Sequence, residues 1–132
     1  MNMKRFFWAG LLVFVVNQIL EFLVHGVFLR SMYEATKQVW RPDMMEKMWL
    51  FRVSGLITSF LLTYIFIKGY EGKGIGEGVR FGLVIGLFVS VPMALSTYAM
   101  LAVPVALAFW WFVNGMVGTV ILGILLAATY RK

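Results

Sequence analysis

Asn17, Glu21 and His25 recur at four-residue intervals in a stretch, residues 6–29, whose ionisable side chains are Glu21 and His25 alone. On a helix this spacing stacks them on one face, and Gln18, three before Glu21, widens the stripe. A carboxylate and an imidazole in contact can pass a proton or hold a cation. Glu21 falls ~12 Å inside the outer end of the stretch at the rise of an α-helix. A carboxylate at that depth has to be protonated, hydrogen-bonded or paired. Ionisable groups so placed commonly face a bundle interior or a water-filled cavity. Arg52, Ser90, Tyr98 and Asn114 fall at the same depth on the other apolar stretches. The expectation is one polar cluster in the outer half of a bundle, open to two readings. In the functional one, Glu21 titrates, His25 is a second proton carrier or ligand, and Arg52 is the counter-ion. In the structural one, the same groups form a hydrogen-bond network that fixes the bundle, for example through a Glu21–Arg52 pair.

Other chemistry has less to stand on. The chain has no cysteine, which removes disulfides, thiolate metal sites and cysteine nucleophiles. Glu21-x-x-x-His25 has metal-ligand spacing on a helix, but there is no second histidine, and Glu34, Asp43 and Glu46 lie in a loop. No metal site closed within one chain is expected. His25 could ligate haem only with His25 of a second copy or with a methionine such as Met93. Met32, Met44, Met45 and Met48 offer thioethers that Cu(I) would accept, but at helical spacing they read as apolar packing. The run KGYEGKGIGEG, Lys68 to Gly78, lacks the GK[ST] ending of a phosphate loop and follows no strand. It reads as a flexible turn. No Ser/His/Asp or paired-carboxylate constellation stands out, so neither an enzyme nor a cofactor is expected.

The elements that must position the stripe follow from composition. Of 132 residues, 61% are hydrophobic and 14% charged, and the mean hydropathy is +0.86. In water such a chain would expose a large apolar surface. Four continuous apolar runs, about 6–29, 49–67, 79–101 and 103–130, are each long enough to cross a ~30 Å hydrocarbon core as a helix, and none alternates as barrel strands do. The fold expected is all-α, a single four-span transmembrane bundle filling residues 1–132. The first run is longer than a signal-peptide core and has no small-residue cleavage site after it, so it reads as a retained helix.

Lys4, Arg5, Lys68, Lys73, Arg80, Arg131 and Lys132 fall on one side of the spans, and Arg30, Lys37, Arg41, Lys47 and Arg52 on the other. The side with more cations is expected to be cytoplasmic, with both termini inside. The net charge of +6 then reflects contact with the lipid bilayer and topology signals rather than nucleic acid. The outer loop, 30–48, is expected to hold a short amphipathic helix on the membrane surface. It would start at Pro42, with Asp43 and Glu46 as a capping pair and Met44, Met45 and Met48 on one face beside Trp49.

Lipid tails solvate leucine as well as another helix does, so helix association needs close packing and polar contacts. Span three carries Gly78, Gly82, Gly86, Ser90 and Ala94; span four carries Gly115, Thr119, Gly123 and Ala127; span two carries Gly55, Ser59 and Thr63. All three ladders have a four-residue step. They are expected to pack against one another within the chain, with homodimerisation through one ladder as the alternative. A very short third connection, around 102–104, makes spans three and four a tight antiparallel hairpin, and Pro92 should kink span three.

The segments ILEFLVHGVFL (19–29), EGKGIGEGVRFGLVIG (71–86) and AFWWFVNGMVG (108–118) give the whole chain the look of small four-helix bacterial inner-membrane proteins. In size and aromatic first hairpin it is similar to the DUF1761 family, a resemblance that implies no biochemical role. It also resembles small multidrug resistance transporters in length and span number, and there the family's essential carboxylate maps to Glu21. The long outer loop, His25 and Arg52 depart from that pattern. Two functions stay open. One is a non-catalytic accessory or assembly subunit of a membrane complex in the bacterial inner membrane. The other is a small oligomeric proton-coupled transporter or channel using Glu21 and His25.

Overall fold

The structure, a computed structural model, describes residues 1–130; Arg131 and Lys132 lie outside the described residues. Four helices are long and apolar enough to cross a membrane, and the described residues contain no strand. Helix α1 covers Met3–Glu21 and continues as a π-helical segment, Phe22–Phe28. A short α2, Arg30–Ala35, opens the loop. Three long helices follow: α3 (Met48–Lys68), α4 (Ile75–Met100) and α5 (Val105–Thr129). This is the all-α four-helix bundle that the four apolar runs require.

The chain folds as two helix pairs. Helix α4 lies along α5, α1 lies along α3, and α1 also touches α5. The α4–α5 seam is built from the two small-residue ladders. A methyl group on Gly82 would stand 2.5 Å from the Val120 Cα, and one on Gly78 would stand 2.7 Å from the Gly123 carbonyl carbon. Higher in the seam, Gly86 meets Thr119 and Met116, and the Ser90 side chain fills the space left by Gly115. Gly78, Gly82, Gly86, Ser90, Ala94, Gly123 and Ala127 are all buried. The intramolecular reading of the two ladders therefore describes the fold. The span-two ladder departs from the expectation that it would pack on the other two, because α3 lies mainly along α1: Gly55 makes room for the Gln18 and Asn17 amides, and Phe60 packs on Gly10. The Ser59 and Thr63 hydroxyls are buried and donate to their own helix, at 2.7 Å to the Gly55 carbonyl and 2.8 Å to the Ser59 carbonyl.

Two apolar clusters divide the bundle by depth. Near the end that carries the N-terminus and the end of α5, Val13, Leu62, Phe66, Leu126 and Tyr130 pack together. At the opposite end, Leu29, Val103, Leu107 and Trp111 form a second core, with Tyr33 and Trp40 against it. That second core supports the candidate site.

The loop departs from expectation. The described helix, α2, lies in its first half; the second half holds only a short 3₁₀ turn, Met44–Lys47, running straight into α3. Asp43 makes no side-chain cap. Its carboxylate is engaged by Arg41 at 2.6 Å and Lys47 at 3.8 Å, so the N–H groups it would have capped compete with two cations. The connection between α3 and α4 also differs from a loose turn. The buried Glu77 carboxylate accepts from the backbone N–H of Glu71 at 2.6 Å and of Lys73 at 2.8 Å. Gly72 and Gly74 take left-handed φ values of 73° and 81°, which glycine adopts at little cost.

Candidate functional site

Glu21 is the last α-helical residue of α1, and His25 stands one turn on, in the middle of the π-helical segment FLVHGVF. Such segments occur frequently at functional sites. This one ends with the Leu29 N–H donating to the Val24 carbonyl at 2.8 Å, and Leu29 itself is fully buried. The chain then turns into α2, which brings Tyr33 back over the imidazole. The two rings stack with centroids 5.8 Å apart.

A directed run of hydrogen bonds results. The Trp111 indole N–H can only donate, and it donates to the Tyr33 hydroxyl oxygen at 2.8 Å. The Tyr33 hydrogen is then free to point to His25 Nδ1, 2.5 Å away. A neutral imidazole so held carries its proton on Nε2, which faces Glu21 Oε2 at 3.3 Å. Burial pushes the Tyr33 phenol above its ordinary value of 10.0; the Trp111 hydrogen bond pulls it back, and the Glu21 carboxylate adds to the rise. Tyr33 therefore stays a donor at neutral pH. Trp40 braces the assembly: its ring meets Tyr33 and Trp111 edge-on at 5.5 and 6.1 Å. Its indole N–H donates to Thr36 Oγ1 at 3.1 Å, and the Thr36 hydroxyl donates in turn to the Met32 carbonyl at 2.8 Å.

The run is anchored at one end and open at the other. Trp111 is buried, but the side chains of His25 and Glu21 are 42% and 57% exposed. The first span is also the least covered: 6% of its apolar window is buried, against 22% to 28% for the other three.

The single cluster expected from the sequence does not form. Only Glu21 and His25 of that set meet. Arg52 is exposed on α3 and, among the described residues, has no ion pair, so the Glu21–Arg52 pair is replaced by Glu21–His25. Ser90 is taken into the α4–α5 seam. Tyr98 is 47% exposed on α4. The Asn114 amide donates to the Trp110 carbonyl of its own helix at 2.9 Å, and Asn17 and Gln18 pack on Gly55. Equal depth along four helices does not imply a common face, and α4 is turned toward α5 by its glycines. Sequence reasoning missed Tyr33, Thr36, Trp40 and Trp111. The available signal was three hydrogen-bonding aromatics close to the membrane boundary beside the lone histidine.

Among the described residues no group of three or more His, Asp or Glu side chains is placed to hold a metal ion. No protein-family model, no curated protein and no solved structure matches the chain.

Proposed function

We propose that this small polytopic membrane protein is a non-catalytic accessory or assembly subunit of a membrane complex, docking through the face of α1 that carries Glu21 and His25. The observation that carries this reading is the exposure of an ionisable pair within a membrane-spanning stretch. Lipid gives such groups no hydrogen-bond partners, and charged or polar side chains at this depth are normally covered by protein or water. A partner helix with a polar side chain would complete the Glu21–His25 pair and cover the barest span. The surplus of cations on the side bearing the termini supports a bacterial inner-membrane location with both termini cytoplasmic.

The test is affinity purification at native expression in a mild detergent, with co-eluting proteins identified by mass spectrometry. A stoichiometric partner, lost at least tenfold in Glu21→Gln while helical content is retained, is the expected result. Elution alone, as monomer or homo-oligomer, refutes docking to a partner.

A second reading, proton-coupled transport, draws on a separate observation: Glu21, His25 and Tyr33 form an unbroken run toward the loop. Such a run could carry a proton between mid-span and the surface. Its test is proton flux in proteoliposomes, which Glu21→Gln would abolish.

A further inference from the structure

In the outer half of α3, residues 48–58, every residue is exposed except Gly55. The cause lies in the neighbouring seam. The glycine ladders draw α4 onto α5, which leaves α1 as the main neighbour of α3. Lipid covers Phe51 and Ile57 there without cost, but it does not suit Arg52. That residue stands one helical turn inside Trp49, and among the described residues it has no hydrogen bond or ion pair. Arginine cannot shed its charge, so it stays a cation in need of acceptors. Asp43, in the loop just before α3, is already engaged by Arg41 and Lys47.

Glu21 has the complementary need on the touching helix. Gln18 and Asn17 of α1 pack on Gly55 of α3. Glu21 lies three residues outward from Gln18, and Arg52 three residues outward from Gly55. Each step is about 4.5 Å along its helix. The two charges therefore stand at one depth, yet they do not pair; Glu21 meets His25 and stays 57% exposed.

We propose that the outer half of α3 and the Glu21 face of α1 together seat one transmembrane helix of a partner protein, which sets a carboxylate on Arg52 and a hydrogen-bond donor on Glu21. This deepens the docking reading above and rests on it. Charge complementarity carries the inference. Arginine grips a carboxylate through parallel N–H donors, and residues one turn apart on a single helix share a face, so one helix can satisfy both groups. A phospholipid headgroup could reach Arg52, whose long stem snorkels outward. Glu21, on a shorter side chain at the same depth, would still face hydrocarbon.

The experiment uses the full chain in phosphatidylcholine proteoliposomes. The chain has no cysteine, so a single Val53→Cys takes one fluorophore beside Arg52. Energy transfer is read to a labelled leucine-alanine peptide of about 20 residues, long enough to span the bilayer. The peptide carries one Glu at the depth of Arg52, and a matched peptide carries Gln there. The Glu peptide should associate about fivefold more tightly, the gain of one good interhelical polar contact. Arg52→Gln should erase that preference and Arg52→Lys should keep it, with helical content unchanged in both. Equal association of the two peptides would overturn the proposal, as would a Glu preference that persists in Arg52→Gln. So would a preference lost when phosphatidylglycerol replaces half of the phosphatidylcholine, which would give Arg52 to a lipid phosphate. The peptides read Arg52, whereas capture of a cellular partner reads Glu21. A failed Glu preference beside a captured partner therefore overturns this assignment alone and leaves the docking reading standing.

Discussion

Replacing Gly82 with alanine would put a Cβ 2.5 Å from the Val120 Cα and 2.6 Å from the Thr119 carbonyl oxygen. Both neighbours are backbone, so no rotamer change relieves the contact, and α4 and α5 must move apart. Ordinary carbon contacts lie near ~3.5–4.0 Å, so the seam must open by roughly 1 Å along a stretch where Gly78 and Gly86 are equally close. Overpacking of this kind costs about 1–3 kcal/mol. Alanine recovers about 1 kcal/mol of helix propensity relative to glycine, which leaves a net loss of up to about 2 kcal/mol. Gly118, on the facing helix α5 but off the ladder, is the control: a Cβ there meets nothing within 4 Å. Gly118→Ala should keep the propensity gain, stabilising by up to about 1 kcal/mol. The two variants, each one added methyl group, should therefore differ by about 1–3 kcal/mol. Unfolding in mixed micelles with rising dodecyl sulfate, followed by circular dichroism, reads that difference. Equal stability of the two variants would refute the account of the seam, and so would a Gly118→Ala variant weaker than Gly82→Ala.

Tyr33→Phe should destabilise the chain by about 1–3 kcal/mol, because it leaves the buried Trp111 N–H without an acceptor; thermal unfolding in detergent and the Trp emission spectrum check this. The same residue sets a pH effect. Its folded-state pKa is raised above 10.0, so its contribution is complete below that pH and is lost as pH climbs through the folded value. The parent should lose more stability than Tyr33→Phe between pH 9 and 11 (about one unit either side of a free tyrosine), and parallel curves would contradict it. Glu77→Ala should speed hydrogen exchange at the Glu71 and Lys73 amides while leaving α4 protected. Unchanged exchange would mean that the carboxylate does not hold the loop.

Fold class was legible because it rests on local physics. Long apolar runs, the short 102–104 connection and the ladders of spans three and four each point to one arrangement, and α4 and α5 adopt it glycine by glycine. That Glu21 and His25 share a face was legible for the same reason, since it follows from spacing within a single helix, although the pair expected was Glu21–Arg52. What joins them to the rest was not. Tyr33 reaches His25 only because the π-helical segment and Leu29 turn the chain back on itself, and no spacing rule encodes that. Arg52 looked like the natural counter-ion by depth, but its direction depends on how α3 rotates against α1, which Gly55 and the Gln18 amide decide. Ser90 was placed in both the polar cluster and the packing ladder, and close α4–α5 contact leaves it room only in the second.

The central claim is that protein, rather than lipid, covers the Glu21–His25 face. A photo-crosslinking amino acid at Phe22, beside Glu21 and 66% exposed, tests it in intact cells. The matching control is Phe88, 77% exposed on α4. The account predicts a discrete adduct with one partner protein from position 22, absent in Glu21→Gln, and none from position 88. Lipid adducts alone at both positions, or the same protein adducts from both, would contradict it.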